Sequence, residues 1–409
     1  MADHPMPEVA RRIVFTLGAL LVYRLGLYIL VPGIDPAAWD PIFRIHSTIG
    51  PLAPLFSAGG IHRLSIFGMG IFSYIAAAVV RQLATIVSPR LAALRQQGWR
   101  GRQIVVRRTR YLTLLFTTLQ ACTVAFALNK ANVATNPGLP FVFSTVATLT
   151  AGTMFLMWLS DQITLRGLGN GIAVILFASL AAELPAAIAG TFMLRNAGAV
   201  SLSGTMVSIV ALLGLTVLIV FVEQARRRIA VRFLPRQIGA RSFDELASYL
   251  PLKLNSAGIV PVMIASWLLF ILVTLEGLLT ADGGSWLAAL VKQVQPGRAT
   301  YLILYGLLIF FFAFFYAALV LDPDRTADVL KNVQAEVVGV GPGESTAIHL
   351  DSIVSRTTTI GAGYLVLVCL LPELLVMSGA PLMFGGTPLL VMICTSLDLD
   401  HQVRERLRL

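Results

Sequence analysis

Residue types that commonly carry out catalysis are sparse and scattered in this chain. The sequence contains no HExxH motif, no Ser/His/Asp grouping and no paired carboxylates within an apolar segment. The acids Glu183, Glu276 and Glu373 stand at the ends of apolar segments, whereas ion-coupled transporters usually carry acids within them. The pattern therefore predicts that the chain is not an enzyme and uses no cofactor or metal, and it argues against coupled transport.

A glycine-rich motif and the three cysteines could each suggest a ligand site, but both are better explained without a ligand. The glycine-rich GLGNG, residues 167–171, follows an apolar segment and not a β-strand, which disfavours a dinucleotide site. We predict a flexible cytoplasmic turn that packs closely. Cys122, Cys369 and Cys394 lie in apolar segments without metal-ligand spacing, so we interpret them as small buried residues.

The composition places the chain in a membrane. Hydrophobic residues make up 56% of the 409 positions and charged residues 13%, with a mean hydropathy of +0.80. Soluble domains carry about 25% charge. A span needs about 20 apolar residues. Ten segments are predicted as spans: 13–31, 65–87, 110–128, 141–160, 170–190, 204–222, 255–275, 299–320, 355–376 and 383–399. We expect the first to be retained as a span and not cleaved as a signal peptide.

Basic residues give these spans an orientation. Alternate loops hold 23 of the 31 Lys and Arg residues, and the opposite loops hold six. Because cytoplasmic loops collect Lys and Arg, we predict that both termini are cytoplasmic. Five spans precede about residue 200 and five follow, which predicts two halves of inverted topology, 1–200 and 201–409.

Two cytoplasmic loops are unusually long, 223–254 and 321–354. The first alternates apolar and basic residues, which predicts a short hairpin that projects from the membrane. Its basic residues suit either contact with anionic lipid, at about 1 kcal/mol per residue, or docking of an acidic or RNA-rich partner through salt-sensitive contacts. Seven basic residues in this loop exceed what orientation requires, which favours docking.

A moderately apolar stretch at 52–64 is too short to span and is interrupted by Gly59 and Gly60. Such a segment is typical either of a re-entrant element against a water-filled cavity or of an amphipathic surface turn. The residues of the stretch leave these two alternatives open.

Long segments spread along the chain closely resemble the SecY family, the central subunit of the bacterial protein translocase. They include SIFGMGIFSYIAAAVVRQL, GTMFLMWLSDQITLRGLGNGI, FVEQARRRIAV, YLPLKLNSAGIVPVMIAS, FFFAFFYAALVLDPDRTADVLK and FGGTPLLV, and the resemblance runs from about residue 10 to 400. It implies an all-α membrane fold of ten helices in two inverted, pseudo-symmetric halves around an hourglass pore. It also implies passage of unfolded polypeptide across the bacterial inner membrane and release of apolar segments sideways into lipid.

The resemblance also implies roles for particular positions. A ring of apolar residues would seal the pore where it is narrowest: Ile71, Ile75, Leu176, Met263 and Val391. Stretch 52–64, which includes Ser57, Gly59, Gly60 and Arg63, would form a plug, which favours the re-entrant alternative. Gln120 and Asn255 match polar residues of a lateral gate and would hold it shut as a pair, whereas Ala76 stands where the family often has a hydroxyl residue. The residues that would dock cytoplasmic partners are Arg226, Arg227, Arg228, Arg232, Arg236, Arg241, Gly341, Pro342, Gly343 and Glu344.

The partners that the resemblance implies are SecE-like and SecG-like small subunits, with a SecA-type ATPase or a ribosome as the source of energy. Two departures affect that docking. Ala240 and Arg241 follow Gly239 where the family has two adjacent arginines, and Gly341 precedes Pro342 where the family has Arg. A diverged or accessory copy with altered motor coupling is therefore one alternative. A membrane insertase scaffold and a small-solute transporter are the others.

Overall fold

The computed structural model describes residues 5–35, 65–87, 98–130, 134–196, 198, 200–233, 236–238, 241–243, 246–279, 293–294, 297–320, 322–378 and 385–408. Two compact units emerge: Met1–Ala199 with Met383–Leu409, and Val200–Leu382. The final segment thus belongs to the first unit. The inverted relation of the two predicted halves stays a prediction.

The described part of the chain is mainly helical, with short strands in the second unit. The helices are α1 (Pro5–Gly26), α2 (Phe72–Val87), α3 (Gly98–Lys130), α4 (Leu139–Arg166), α5 (Gly171–Asn196), α6 (Leu202–Gln224), α7 (Val260–Leu279), α8 (Ala299–Val320), α9 (Pro323–Asn332), α10 (Glu344–Met377) and α11 (Gly386–Arg408). The strands are β1 (Arg226–Phe233), β2 (Arg236–Ile238), β3 (Arg241–Phe243), β4 (Leu246–Lys253) and β5 (Ala335–Val337).

Each of the ten predicted spans overlaps one long helix. By length and hydropathy alone, five helices within the described residues are long and apolar enough to cross a membrane. The 33 residues of α3 and the 34 of α10 correspond to about 50 Å at 1.5 Å per residue. A bilayer core is about 30 Å thick, so we expect these two helices to extend beyond it.

Two predicted span boundaries are wrong because neighbouring chain segments end the helices. Span 13–31 continues past the end of α1, whose last residue is Gly26. Residue 30 forms a β-bridge with Ser65 instead, and Ile66 N–H donates to the carbonyl of Ile29 at 2.9 Å. Span 65–87 likewise starts in a turn segment, 65–71, because that backbone pairs with residues 29–30 before α2 begins.

Glycines make room for this turn segment in the first unit. A Cβ on Gly26 would overlap the ring of Phe67, and one on Gly152 of α4 would overlap the carbonyl oxygen of Ile66. The Phe67 ring stacks on Tyr23 and on Phe155, with centroids 6.1 and 5.6 Å apart. Segment 65–71 is therefore packed between α1 and α4.

The predicted span 255–275 also starts too early, since α7 begins only at Val260. Residues 254–259 form a turn in which Gly258 has a φ of 62°, a conformation that glycine adopts readily. Pro261 then stands in the first turn of α7, where a missing N–H costs no helical hydrogen bond.

A stripe of small residues is buried along α3 of the first unit. Thr109, Thr113 and Thr117 are buried at four-residue spacing on α3, and Ala121 and Ala125 continue the same stripe. Small side chains allow two membrane helices to approach closely. Arg110 of α3 also forms an ion pair with Asp161 of α4.

The hairpin predicted for loop 223–254 is confirmed in the second unit, whereas its cytoplasmic location stays a prediction. Strands β1 and β4 pair antiparallel from Arg226↔Lys253 to Phe233↔Leu246, and β2 pairs with β3 further out. Strand β5, from the other long loop, adds to the free edge of β1 to give the order β4-β1-β5. One face of this sheet packs on α10 through a cluster of apolar residues: Ile229, Leu252, Val337, Leu350, Ile353 and Val354.

Candidate functional site

Four of the five predicted ring residues lie in the first unit. Ile71 ends the turn segment before α2 and belongs to a buried cluster that also contains Ile175, the neighbour of Leu176. Ile75, one turn further along α2, packs against the same cluster. Leu176 on α5 and Val391 on α11 are both buried.

The fifth ring residue, Met263, is buried in the first turns of α7 in the second unit. Burial is what a closed apolar constriction requires, and it is also what ordinary helix packing requires. The ring therefore stays a prediction that rests on the resemblance.

Gln120, predicted as a gate amide, has a hydroxyl partner that the sequence did not reveal. Ser73 of α2, which is 1% exposed, donates from Oγ to Gln120 Oε1 of α3 at 3.3 Å. Ala76, where a hydroxyl was expected, is buried one turn further along α2. The hydroxyl at Ser73 therefore supplies Gln120 with the kind of partner that Ala76 cannot.

Asn255, the second predicted gate amide, lies in the turn before α7 and is 3% exposed. Its Nδ2 donates to Glu223 Oε1 at 2.7 Å and to the carbonyl of Gly258 at 3.3 Å. The amide is thus held by groups of its own unit. Its pairing with Gln120 stays a prediction.

The predicted docking arginines of β1 are exposed on the hairpin. Along β1, Ile229 and Val231 point into the core while Arg228, Ala230 and Arg232 are exposed, as the two-residue period of a strand requires. Arg226 and Arg227 are exposed at the hairpin base. Arg236 and Arg241 fall in β2 and β3.

The turn Gly341–Glu344 lies in the same unit, between β5 and α10. Gly343 caps α10 with a φ of 90°, and Glu344 stands in its first turn, where a negative charge favours the helix dipole. Thr346 Oγ1 donates to the Gly341 carbonyl at 2.7 Å. Gly341 and Pro342 are both exposed, so this turn is available to a partner.

The GLGNG motif at 167–171 joins α4 to α5 and packs closely, as predicted. Arg12 donates to its first carbonyl at 3.3 Å, and Thr16 Oγ1 accepts from its second N–H at 3.0 Å. Gly169 has a φ of 76°, and a Cβ there would press on Leu399. The motif is a helix-to-helix turn clamped by α1 and α11.

Several predicted site residues lie outside the described residues. They are the plug residues Ser57, Gly59, Gly60 and Arg63, and the positions Gly239 and Ala240 of the hairpin tip.

Comparison with known proteins identifies the family of this chain. The SecY family model matches residues 65–399. The protein translocase subunit SecY of Escherichia coli K12 is 40% identical over 404 residues, covering 97% of this chain and 91% of that protein. The chain belongs to the SecY family.

Other similar proteins agree with this assignment. The protein translocase subunit SecY of Pseudomonas aeruginosa PAO1 is 37% identical over 410 residues, covering 100% of this chain and 93% of that protein. A structure titled "The structure of a protein conducting channel" has a TM-score of 0.69 at 15% identity, covering 97% of this chain and 92% of that one. Sec61 in the canine ribosome-channel complex has a TM-score of 0.66 at 15% identity, with the same coverage. The structural likeness shows the SecY fold, as the sequence predicted.

Sequence reasoning missed Ser73 and Glu223 as polar residues beside the predicted SecY gate amides. Ser73 stands on the same helix as the expected hydroxyl position, one turn earlier, and that spacing was a usable signal. Glu223 and Asn255 are far apart in the sequence and meet only because the hairpin between them folds back. Nothing in the local sequence indicates that contact.

Proposed function

We propose that this chain is the protein-conducting subunit of a Sec-type translocase in the bacterial inner membrane. It passes unfolded polypeptides across the membrane and releases apolar segments laterally into lipid. The observation that carries the proposal is the 40% identity to the E. coli protein translocase subunit SecY across 97% of this chain.

The proposed seal is the apolar ring of Ile71, Ile75, Leu176, Met263 and Val391. An apolar constriction excludes water and ions when empty, and it binds no particular side chain of a passing polypeptide. Met263 adds an unbranched side chain that adapts its shape. Ile71, Leu176, Met263 and Val391 are buried, as a closed constriction requires. Residues 52–64 form the proposed plug on the outer side of the ring.

The proposed lateral gate uses the amides of Gln120 and Asn255. Buried amides at membrane depth need hydrogen-bond partners, so a gate that carries them has defined polar contacts to exchange when it opens. The bonds of Gln120 to Ser73 and of Asn255 to Glu223 support a polar gate.

We propose a SecA-type ATPase or a ribosome as the energy source, docked on the hairpin and the Gly341–Glu344 turn. The exposed arginines of β1 support an acidic or RNA-rich partner. SecE-like and SecG-like subunits complete the proposed assembly, and both termini lie in the cytoplasm. Because the chain functions as a channel, its partners supply the chemical energy.

Gly341 tests the docking turn directly. Gly341→Arg is sterically permitted, because a Cβ there would meet only Ser345 Oγ, at 4.0 Å. If the missing guanidinium limits motor coupling, the variant raises the rate of ATP-driven transport. Exposed Val338→Arg, in the same loop, is the matched control for added charge. An equal response of the two variants would show that position 341 has no special part in coupling.

Reconstitution tests the function itself. The purified chain is placed in vesicles with SecE-type and SecA-type partners, and ATP-dependent protection of a secretory precursor from added protease is measured. We expect protection that requires this chain, ATP and the apolar signal of the precursor. Uptake of small solutes without precursor protection would overturn the proposal in favour of a transporter.

A further inference from the structure

We propose that Glu223 is a positioning residue for Asn255 and connects the base of the hairpin to the lateral gate. The inference rests on the proposed gate role of Asn255. It assigns a function to a carboxylate at the first position of loop 223–254, directly after the predicted span 204–222.

The contact has the geometry of a strong hydrogen bond. Glu223 lies in the last turn of α6, and its Oε1 accepts from Asn255 Nδ2 at 2.7 Å. A donor–acceptor distance of 2.7 Å is at the short end of the range for N–H···O bonds. Asn255 is buried, so loss of this acceptor would leave a desolvated N–H.

The carboxylate also determines which way the amide faces. An asparagine amide has two N–H donors on nitrogen and an acceptor oxygen, and Glu223 Oε1 accepts from the nitrogen. Nδ2 must therefore face Glu223, and its other N–H reaches the Gly258 carbonyl at 3.3 Å. These two bonds fix Oδ1 as the end of the amide that points away from Glu223.

Helix α10 supports the turn from a third direction. A Cβ at Gly361 would lie 3.0 Å from the Leu254 carbonyl oxygen and 3.4 Å from Asn255 Cα. The backbone of α10 therefore contacts the turn closely at Gly361. Asn255 is held between α6, its own turn and α10, all in the second unit.

The same contact continues the hydrogen-bond ladder of the hairpin. The last strand pair is Arg226↔Lys253, and Leu254 N–H then donates to the Ala225 carbonyl at 3.1 Å. The Glu223–Asn255 bond comes next, where the two chain segments leave the sheet. A displacement of the basic hairpin by a docked partner is thereby transmitted to Asn255.

The test compares Glu223→Ala, Glu223→Gln, Asn255→Ala and the double variant Glu223→Ala/Asn255→Ala in the complete protein. Exposed Gln224→Ala, at the adjacent position of α6, is the matched control. The first readout is hydrogen–deuterium exchange of the backbone at residues 254–259. The second is the transport of a precursor with a shortened apolar signal, relative to the same precursor with its full signal.

We expect Glu223→Ala to speed exchange at 254–259 by about tenfold, a size of effect that the loss of one hydrogen bond explains. It should change the ratio of shortened-signal to full-signal transport by a similar factor. Glu223→Gln should stay within about twofold of the parent, because the amide oxygen still accepts. The double variant should give the same ratio of shortened-signal to full-signal transport as Asn255→Ala, because a positioning residue has no effect without the group it positions.

Any of three results would overturn the inference. Glu223→Ala could show the same exchange rate at 254–259 as Gln224→Ala, or Glu223→Gln could be as defective as Glu223→Ala. The effects of Glu223→Ala and Asn255→Ala on transport could also add in the double variant. Failure of the proposed function is a different result. If the parent protein transports no precursor, the channel assignment fails, whereas the exchange comparison still decides whether Glu223 holds the turn.

Discussion

At the scale of single residues, glycines decide where segments of the first unit approach one another. Gly171 begins α5 against the backbone of α4, where a Cβ would overlap the carbonyl oxygen of Ser160. Its N–H donates to Thr164 Oγ1 at 2.8 Å. Because the obstacle is backbone and not a flexible side chain, an added methyl group would force the two helix ends apart.

We therefore predict that Gly171→Ala lowers the free energy of unfolding by about 1–3 kcal/mol, the usual cost of overpacking. The midpoint of thermal unfolding in detergent measures the change. Gly18→Ala in α1 is the control, because a Cβ there meets nothing within 4 Å and alanine is the better helix former. Equal midpoints for the two variants would contradict the packing argument.

At the scale of elements, the three-stranded sheet β4-β1-β5 joins two loops that are distant in the sequence. Strand β5 pairs with β1 over Val231↔Val337 to Phe233↔Ala335, and Val337 is buried in the cluster beneath the sheet. The basic surface of β1 therefore depends on the other long loop for its support.

Val337→Ala should destabilise this sheet by about 2 kcal/mol, from the methyl groups removed and the cavity left behind. The expected result is faster cleavage by trypsin at the arginines of β1 in the folded protein. Val338→Ala, at an exposed neighbouring position, should leave the cleavage rate unchanged. Faster cleavage in both variants, or in neither, would count against support by β5.

The sequence predicted the ten long helices of this fold because each contains an apolar segment, whereas the short polar helix α9 was not predicted. Their ends were predicted less well, because contacts distant in sequence decide them. The last residue of α1, Gly26, lies against the Phe67 ring, and α7 starts only after the turn that carries Asn255.

The candidate site likewise has parts that a local sequence pattern predicts and parts that depend on tertiary contacts. The hairpin was predicted because alternation of apolar and basic residues is a local pattern, and the structure confirms it. The addition of β5 and the Glu223–Asn255 bond depend on tertiary pairing, which no local pattern encodes. The ring and gate positions came from the family resemblance and stay predictions.

At the scale of the whole molecule, the proposed channel must remain closed to ions while it admits polypeptides. Leu176→Ser should raise the ion conductance of resting channels in planar bilayers, because a hydroxyl at the constriction favours its hydration. Ile75→Ser should act in the same direction. Leu213→Ser on the exposed face of α6 removes a similar side chain away from the ring and serves as control. If Leu176→Ser conducts no more than Leu213→Ser, the ring assignment is wrong.

The most direct test of the account asks whether a polypeptide in transit touches the proposed ring. Cys122, Cys369 and Cys394 are first replaced by Ser, and a single Cys is introduced by Leu176→Cys, Met263→Cys or, as control, Val210→Cys on the exposed face of α6. A precursor with one Cys in its mature part is then arrested midway and oxidised. We expect disulfides between the precursor and positions 176 and 263 that require ATP and the arrested state, and none between the precursor and position 210. Arrested precursor without disulfides to positions 176 and 263, or with equal disulfide formation at all three positions, would contradict a pore through this chain.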